Sequence, residues 1–135
     1  MVKVMTIKSS GQGLYPITTE INRVVTDAAI EEGICHILVQ HTSASLTIQE
    51  NADPSAKYDL EQFLKRLVPE GDPHYTHRLE GRDDMPAHIR AALTSTSLSV
   101  PVLGGRLALG TWQGIYLWEH RYRPQQRQLV IYVGG

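Results

Sequence analysis

Apolar residues along this chain recur at two different spacings, and the switches between them mark out its elements. From Ile17, the positions Ile21, Val24, Val25, Ala28 and Ala29 follow helical spacing. This predicts an amphipathic helix, with Thr18 or Thr19 capping its first turn and Gly33 closing its last. A second stripe, Ala56, Leu60, Phe63, Leu64 and Leu67, follows Asp53–Pro54 and stops at Pro69. Asp53 there suits an N-cap and Pro54 the first helical position, where a missing N–H costs nothing. Lys57, Asp59, Glu61, Lys65 and Arg66 form the solvated side. A shorter helix is predicted over Pro86–Leu93, with Asp84 or Met85 near its cap and Ile89, Ala92 and Leu93 turned inward.

Elsewhere the period is two. Met1–Ser9 alternates, with Val2 and Val4 on one side and Met5 and Ile7 on the other, before the turn Gly11–Gln12–Gly13. Ile34–Gln40 is nearly all apolar, and Cys35, Ile37, Val39 and His41 share one face if it is extended. Leu46–Gln49 is a second short strand. Leu98, Val100 and Val102 lead to Gly104–Gly105, a hairpin signal with Arg106–Leu109 as its return. Trp112–Arg121 alternates with large groups on both faces: Trp112, Gly114, Tyr116, Trp118 and His120 on one, Gln113, Ile115, Leu117 and Glu119 on the other. Gln128–Val133 closes the set. Strands at both ends with helices between predict an α+β fold, a mostly antiparallel, β-sandwich-like sheet with two longer helices and one short one.

Composition narrows the function classes. The 135 residues fit a single domain, residues 1–135. A formal charge of −1, without clustered Lys and Arg, argues against nucleic acid or an anionic membrane as partner. One cysteine, Cys35, forms no internal disulfide, and Met1–Ser10 lacks the apolar core of a signal peptide, so the expected address is cytoplasmic. No apolar run reaches the ~18–20 residues that span a bilayer.

Candidate chemistry lies in three stretches. Gln40–Asp53 gathers the imidazole of His41, hydroxyls including Ser43 and Ser45, the amide of Asn51 and the carboxylate of Asp53 between two regular elements. Its plain alternative is a hydroxyl-rich turn whose Asp53 only caps a helix. No Gly-x-Ser-x-Gly elbow surrounds either serine, so these hydroxyls are expected to hydrogen-bond backbone, metal-bound water or an anion rather than act as nucleophiles. Tyr75–His88 holds His77, His88 and the carboxylates of Glu80, Asp83 and Asp84 in an aperiodic loop and short helix. Imidazole with carboxylate suits a divalent cation of the Zn or Mn type, and carboxylate alone suits Mg. The alternative is a capping aspartate and solvated histidines. Gly110–Gly114 sets Trp112 beside Gln113, an indole and a carboxamide able to grip a flat ring or, equally, to pack a core or a subunit interface.

Four segments then become recognisable: Gln40–Pro54, Tyr75–His77, Glu80–His88, and Ser97–Ile115 with its Gly–Thr–Trp–Gln–Gly run at 110–114. Together they resemble the YjbQ family, also called the secondary thiamine-phosphate synthase family. The resemblance implies a compact α+β domain assembled as a homotrimer. It also implies a weak joining of hydroxymethylpyrimidine diphosphate to thiazole phosphate, with release of diphosphate, so the expected partner is a small phosphorylated heterocycle. By motif position the catalytic set is His41, Asn51, Asp53, His88, Gln113 and Glu119; the metal set is His77, Asp84 and His88; and the substrate contacts are Ser43, Thr111 and Trp112. Alternatives of other classes are a non-catalytic trimeric metal- or anion-binding protein and a metal-dependent hydrolase.

Overall fold

The computed structural model describes residues 1–135. In chain order the elements are β1 (Val2–Ser9), β2 (Gly13–Pro16), α1 (Thr18–Ala28), β3 (Glu32–Val39), β4 (Ala44–Glu50), α2 (Pro54–Leu67), α3 (Asp84–Leu93), β5 (Ser97–Leu103), β6 (Arg106–Leu107), β7 (Gln113–Glu119) and β8 (Gln125–Gly134). The strands form a five-stranded sheet in the order β1-β8-β3-β5-β6 and a three-stranded sheet in the order β2-β7-β4. Every strand pair is antiparallel. The fold is therefore the expected α+β arrangement with a mostly antiparallel sandwich, and no helix is long and apolar enough to cross a membrane.

The core lies between the two sheets. Cys35, Ile37, Val39, Val100, Val102, Leu129, Ile131 and Val133 from the large sheet meet Ala44, Leu46, Ile115 and Leu117 from the small one, with Ile21, Val24 and Val25 of α1 packed among them. Alternation explains why β3 buries Cys35, Ile37 and Val39 while His36 and Leu38 stay exposed. On the far side of the small sheet, Leu14, Tyr116 and Trp118 pack against Leu64 of α2. β7 is thus covered on both faces, which accounts for the bulky residues at its odd and even positions alike.

Several local expectations change. α1 begins without a side-chain cap, because the Thr18 hydroxyl instead accepts the Ile115 N–H (2.8 Å) and ties the helix to β7. It ends at Ala29, in the left-handed conformation (φ 53°), rather than at Gly33. Gly33 lies in β3, where an added Cβ would stand 2.3 Å from the Gly134 carbonyl oxygen. Asp53 does cap α2, accepting the Ser55 N–H with Pro54 following. Of the α2 stripe only Leu64 is buried, and Phe63 and Leu67 are more than half exposed. α3 starts at Asp84, and its inward face is Pro86, Ala87, Arg90 and Ala91 rather than Ile89, Ala92 and Leu93. The glycine turn behaves as expected: Gly104 (φ 63°) and Gly105 (φ 73°) supply the positive φ values of a tight hairpin between β5 and β6.

Candidate functional site

Asp84 opens α3 and His88 follows one turn later, so both side chains project from the same face of the helix. The aperiodic segment before α3 brings in His77. The three ligand-capable atoms lie within 4.8 Å of one another. His77 Nε2 is 2.7 Å and His88 Nε2 is 3.0 Å from the same oxygen, Asp84 Oδ2. Asp84 is buried, His77 about half exposed at 47% and His88 less so at 29%, which leaves the imidazole side open to solvent.

Proton bookkeeping says what this triangle requires. His88 Nδ1 lies 2.8 Å from the Thr42 carbonyl oxygen, which can only accept, so Nδ1 carries a hydrogen. In a neutral ring Nε2 would then aim a lone pair at the Asp84 carboxylate. The 3.0 Å separation is attractive only with a second proton on His88 or with a cation shared by the two groups. A backbone carbonyl that orients one imidazole nitrogen while the other faces inward is the usual outer support of a metal-binding histidine.

Arg121, just beyond β7, braces the acidic side. Its Nη1 donates to Asp84 Oδ1, its Nε to Asp83 Oδ2 (3.0 Å) and its Nη2 to the Glu80 carbonyl (2.9 Å). Asp83 also accepts the Tyr122 N–H (2.9 Å) on Oδ2, and its side chain makes no capping bond to α3. Burial alone would raise the Asp84 pKa; the hydrogen bond from His77 and the charges of His88 and Arg121 outweigh it and hold the group below the ordinary carboxylate range. Asp83 is likewise lowered against its burial, by the Tyr122 N–H and Arg121.

A second, fully buried network supports this end of β7. Glu119 (1% exposed) accepts from Ser9 Oγ (2.7 Å), from Arg127 Nε (2.8 Å) and Nη2 (2.5 Å), and from the backbone N–H groups of His120 and Arg121 (3.1 Å each). Ser43 accepts from Arg127 Nη2 (2.9 Å), and Ser45 pairs with His120 Nε2 (2.9 Å). Burial, with the charges of Arg90 and Arg127, pushes the His120 pKa down to about 3, so this imidazole is neutral. The hydroxyls of Ser43 and Ser45 therefore satisfy buried side chains instead of facing a ligand.

Of the expected site residues, His77, Asp84 and His88 converge. Glu119 and Ser43 lie in the buried network, where neither is free to touch a substrate. His41 Nε2 accepts the Gln128 N–H (2.8 Å), and its pKa is lowered first by burial and then by Arg127. Its neighbour Thr42 supplies the carbonyl that orients His88. Asn51 donates to the Gln113 carbonyl (3.2 Å), Gln113 Oε1 accepts the Gly110 N–H (2.8 Å), and Asp53 is engaged by Ser55. Those residues, with exposed Thr111 and Trp112, sit at the opposite end of the seven-residue strand β7 from Glu119. At the usual rise per residue that end is about 20 Å away, so one protomer does not assemble the whole expected set. Arg121 is the functional neighbour that the sequence reading missed. Its signal was an arginine placed directly after Glu119–His120 at the end of an alternating strand.

Comparison with known proteins agrees with this architecture. The family model described as UPF0047 protein YjbQ-like matches residues 3–135. The UPF0047 protein sll1880 of Synechocystis is 50% identical over 133 residues, covering 98% of this chain and 90% of the relative. The UPF0047 protein YjbQ of Escherichia coli O157:H7 is 42% identical, covering 98% and 96%. A crystal structure of a YjbQ/UPF0047-family protein from Clostridium acetobutylicum superposes with a TM-score of 0.89 at 32% identity, covering 98% of this chain and 99% of that one. A match along nearly the entire length, in sequence and in three dimensions, means that the chain belongs to the YjbQ/UPF0047 family.

Proposed function

We propose that the protein is a metal-assisted enzyme acting on a small phosphorylated heterocycle, with the low-efficiency synthesis of thiamine phosphate as its specific reaction. The observation that carries the metal part is the His88 ring, whose proton is committed to Thr42 while its other nitrogen faces Asp84. Two imidazole nitrogens and one carboxylate oxygen fit a Zn- or Mn-type ion better than Mg, which prefers oxygen ligands throughout. Three protein ligands leave positions for water or substrate. When bound, such an ion neutralises charge on the oxygens of a departing phosphate.

The chain's own residues have separate tasks. Arg121 fixes the Asp84 carboxylate through its second oxygen, so that Oδ2 stays turned to the imidazoles. Thr42 sets the tautomer of His88. Glu119 accepts the Arg121 N–H and so anchors the backbone that presents the guanidinium. In the proposed reaction the bond between the pyrimidine methylene and diphosphate breaks, the thiazole nitrogen bonds to that carbon, and diphosphate leaves with the electron pair. The reaction itself is supported by the family resemblance alone; Ser43 and Ser45 are buried and engaged and take no part in it.

The same resemblance supports a homotrimer. The outer face of the large sheet carries exposed apolar side chains among polar ones, with Val2 64%, Val4 56% and Leu38 46% exposed. These groups lie on β1 and β3, on either side of β8, and are suited to burial between copies; light scattering tests the assembly. Metal content after purification, compared between the parent and Asp84→Asn, tests the centre: the parent should retain stoichiometric Zn or Mn and the variant should lose it. Incubation with hydroxymethylpyrimidine diphosphate and thiazole phosphate tests the reaction, and retained metal without thiamine phosphate or diphosphate release would leave a metal-binding protein instead.

A further inference from the structure

Beside the metal centre, the loop between α2 and α3 encloses a cleft of about 240 Å³ whose lining includes Tyr75, His77, Arg78, Arg82 and Met85. We infer that this cleft is an anion subsite, built to take a phosphate or diphosphate group, with the Arg82 guanidinium as its recognition element. His77 belongs to both the cleft and the His77–Asp84–His88 triangle, so an anion seated here adjoins the candidate metal.

Four features converge on this assignment. Arg82 makes no salt bridge and no hydrogen bond within the chain, and so keeps the planar donor array that matches phosphate oxygens. Its guanidinium is seated over Gly71: a Cβ at that glycine, whose φ is +68°, would stand 2.7 Å from Arg82 Nη2. The positive φ calls for glycine at 71, and its bare Cα lets the guanidinium lie against the backbone. Arg78 adds a second cation, positioned by donation from Nε to the Tyr75 carbonyl (2.5 Å) and from Nη2 to the Pro73 carbonyl (3.0 Å). Neither bond neutralises it. The one lining carboxylate, Asp72, is turned to His74, whose N–H and ring nitrogen both lie 2.9 Å from its Oδ1, so the cleft's fixed charges are two guanidiniums against one carboxylate.

Two guanidiniums against one carboxylate, with a half-exposed imidazole beside them, leave this small cleft net cationic and select a compact anion over a neutral or cationic ligand. The space falls below the ~300–1,000 Å³ that holds a drug-sized molecule, so the anionic portion of a substrate enters rather than all of it. The inference deepens the proposed function and rests on it for the anion's purpose, whereas the binding itself needs no metal.

The test is calorimetric titration of metal-free protein with inorganic diphosphate at low ionic strength. Arg82→Gln should weaken binding about tenfold or more, the usual cost of losing charge-assisted hydrogen bonds. Arg123→Gln, at an exposed arginine outside this cleft, should leave it unchanged. Asp84→Asn should keep diphosphate binding while losing metal, so a failed metal centre and a failed anion subsite give different results. Equal affinities for the parent and Arg82→Gln, an equal loss in Arg123→Gln, or no binding to the parent at millimolar diphosphate would overturn the assignment.

Discussion

Glu119→Gln is the substitution that best separates support from chemistry at this site. The side chain keeps its shape and loses its charge. In the parent, one carboxylate serves five donors: the Ser9 hydroxyl, two nitrogens of Arg127 and two backbone N–H groups. Arg127 is only 4% exposed and its remaining acceptors are Ser43 O and Ser43 Oγ, so the variant leaves a buried guanidinium without a counter-charge. Breaking one partner of a buried pair costs about 3–5 kcal/mol. For 135 residues, an unfolding entropy of about 2.1 cal/mol/K per residue gives ~0.28 kcal/mol/K, so the thermal midpoint should fall by about 10–18 °C. Circular dichroism melts read this directly, and the variant should remain folded and metal-loaded at low temperature. A midpoint within about 3 °C of the parent's would refute the reasoning. Lost turnover with an unmoved midpoint would put Glu119 in the chemistry.

Acid should destabilise the fold before any carboxylate titrates. His120 is neutral with a pKa of about 3, and the unfolded chain protonates near 6.5, so the unfolded state gains the extra proton as pH falls below 6.5. The stability is complete above 6.5 and is lost toward 3, at up to about 1.4 kcal/mol per pH unit. Half-buried His41 shifts the same way, and lowered Asp83 and Asp84 add their losses at the acid end. Urea midpoints at pH 7.5 and 5 should differ, and His120→Gln should shrink the difference; identical midpoints would contradict this. Leu117→Ala, at a fully buried position between the sheets, should cost about 2–5 kcal/mol in urea titrations. Thr18→Val, which removes the acceptor for the Ile115 N–H, should cost about 1 kcal/mol and leave metal content untouched. His88→Gln should lose metal, and its melting temperature should match that of the metal-free parent closely, because the ring is partly exposed and its fixed partner is a single carbonyl.

Most elements could be read from the chain because their causes are local. The stripe from Ile21 to Ala28 and the Asp53–Pro54 cap lie within single helices, and Gly104–Gly105 needs only its own φ values. The two-sided pattern of β7 was visible as well, but that both its faces are covered was decided by the packing of α2 on the small sheet. Where local pattern meets a distant partner, reading from sequence stops. Thr18 abandons capping for a strand nearly a hundred residues away, and Gly33 serves the approach of Gly134 rather than a helix end. Phe63 and Leu67 share a stripe with Leu64, yet only Leu64 meets the small sheet.

The candidate site divides the same way. Asp84 and His88 are one helical turn apart, so their proximity follows from the backbone period alone. The family, and with it the fold class, was also legible in the ordered residues of four segments. Only the folded chain decided that His77 joins them, that Arg121 braces them, and that Glu119 and Ser43 are consumed by Arg127. A side chain's chemical type is written in the sequence, but its role depends on which donors and acceptors reach it first, and here those come from strands and loops brought together by burial of the shared core.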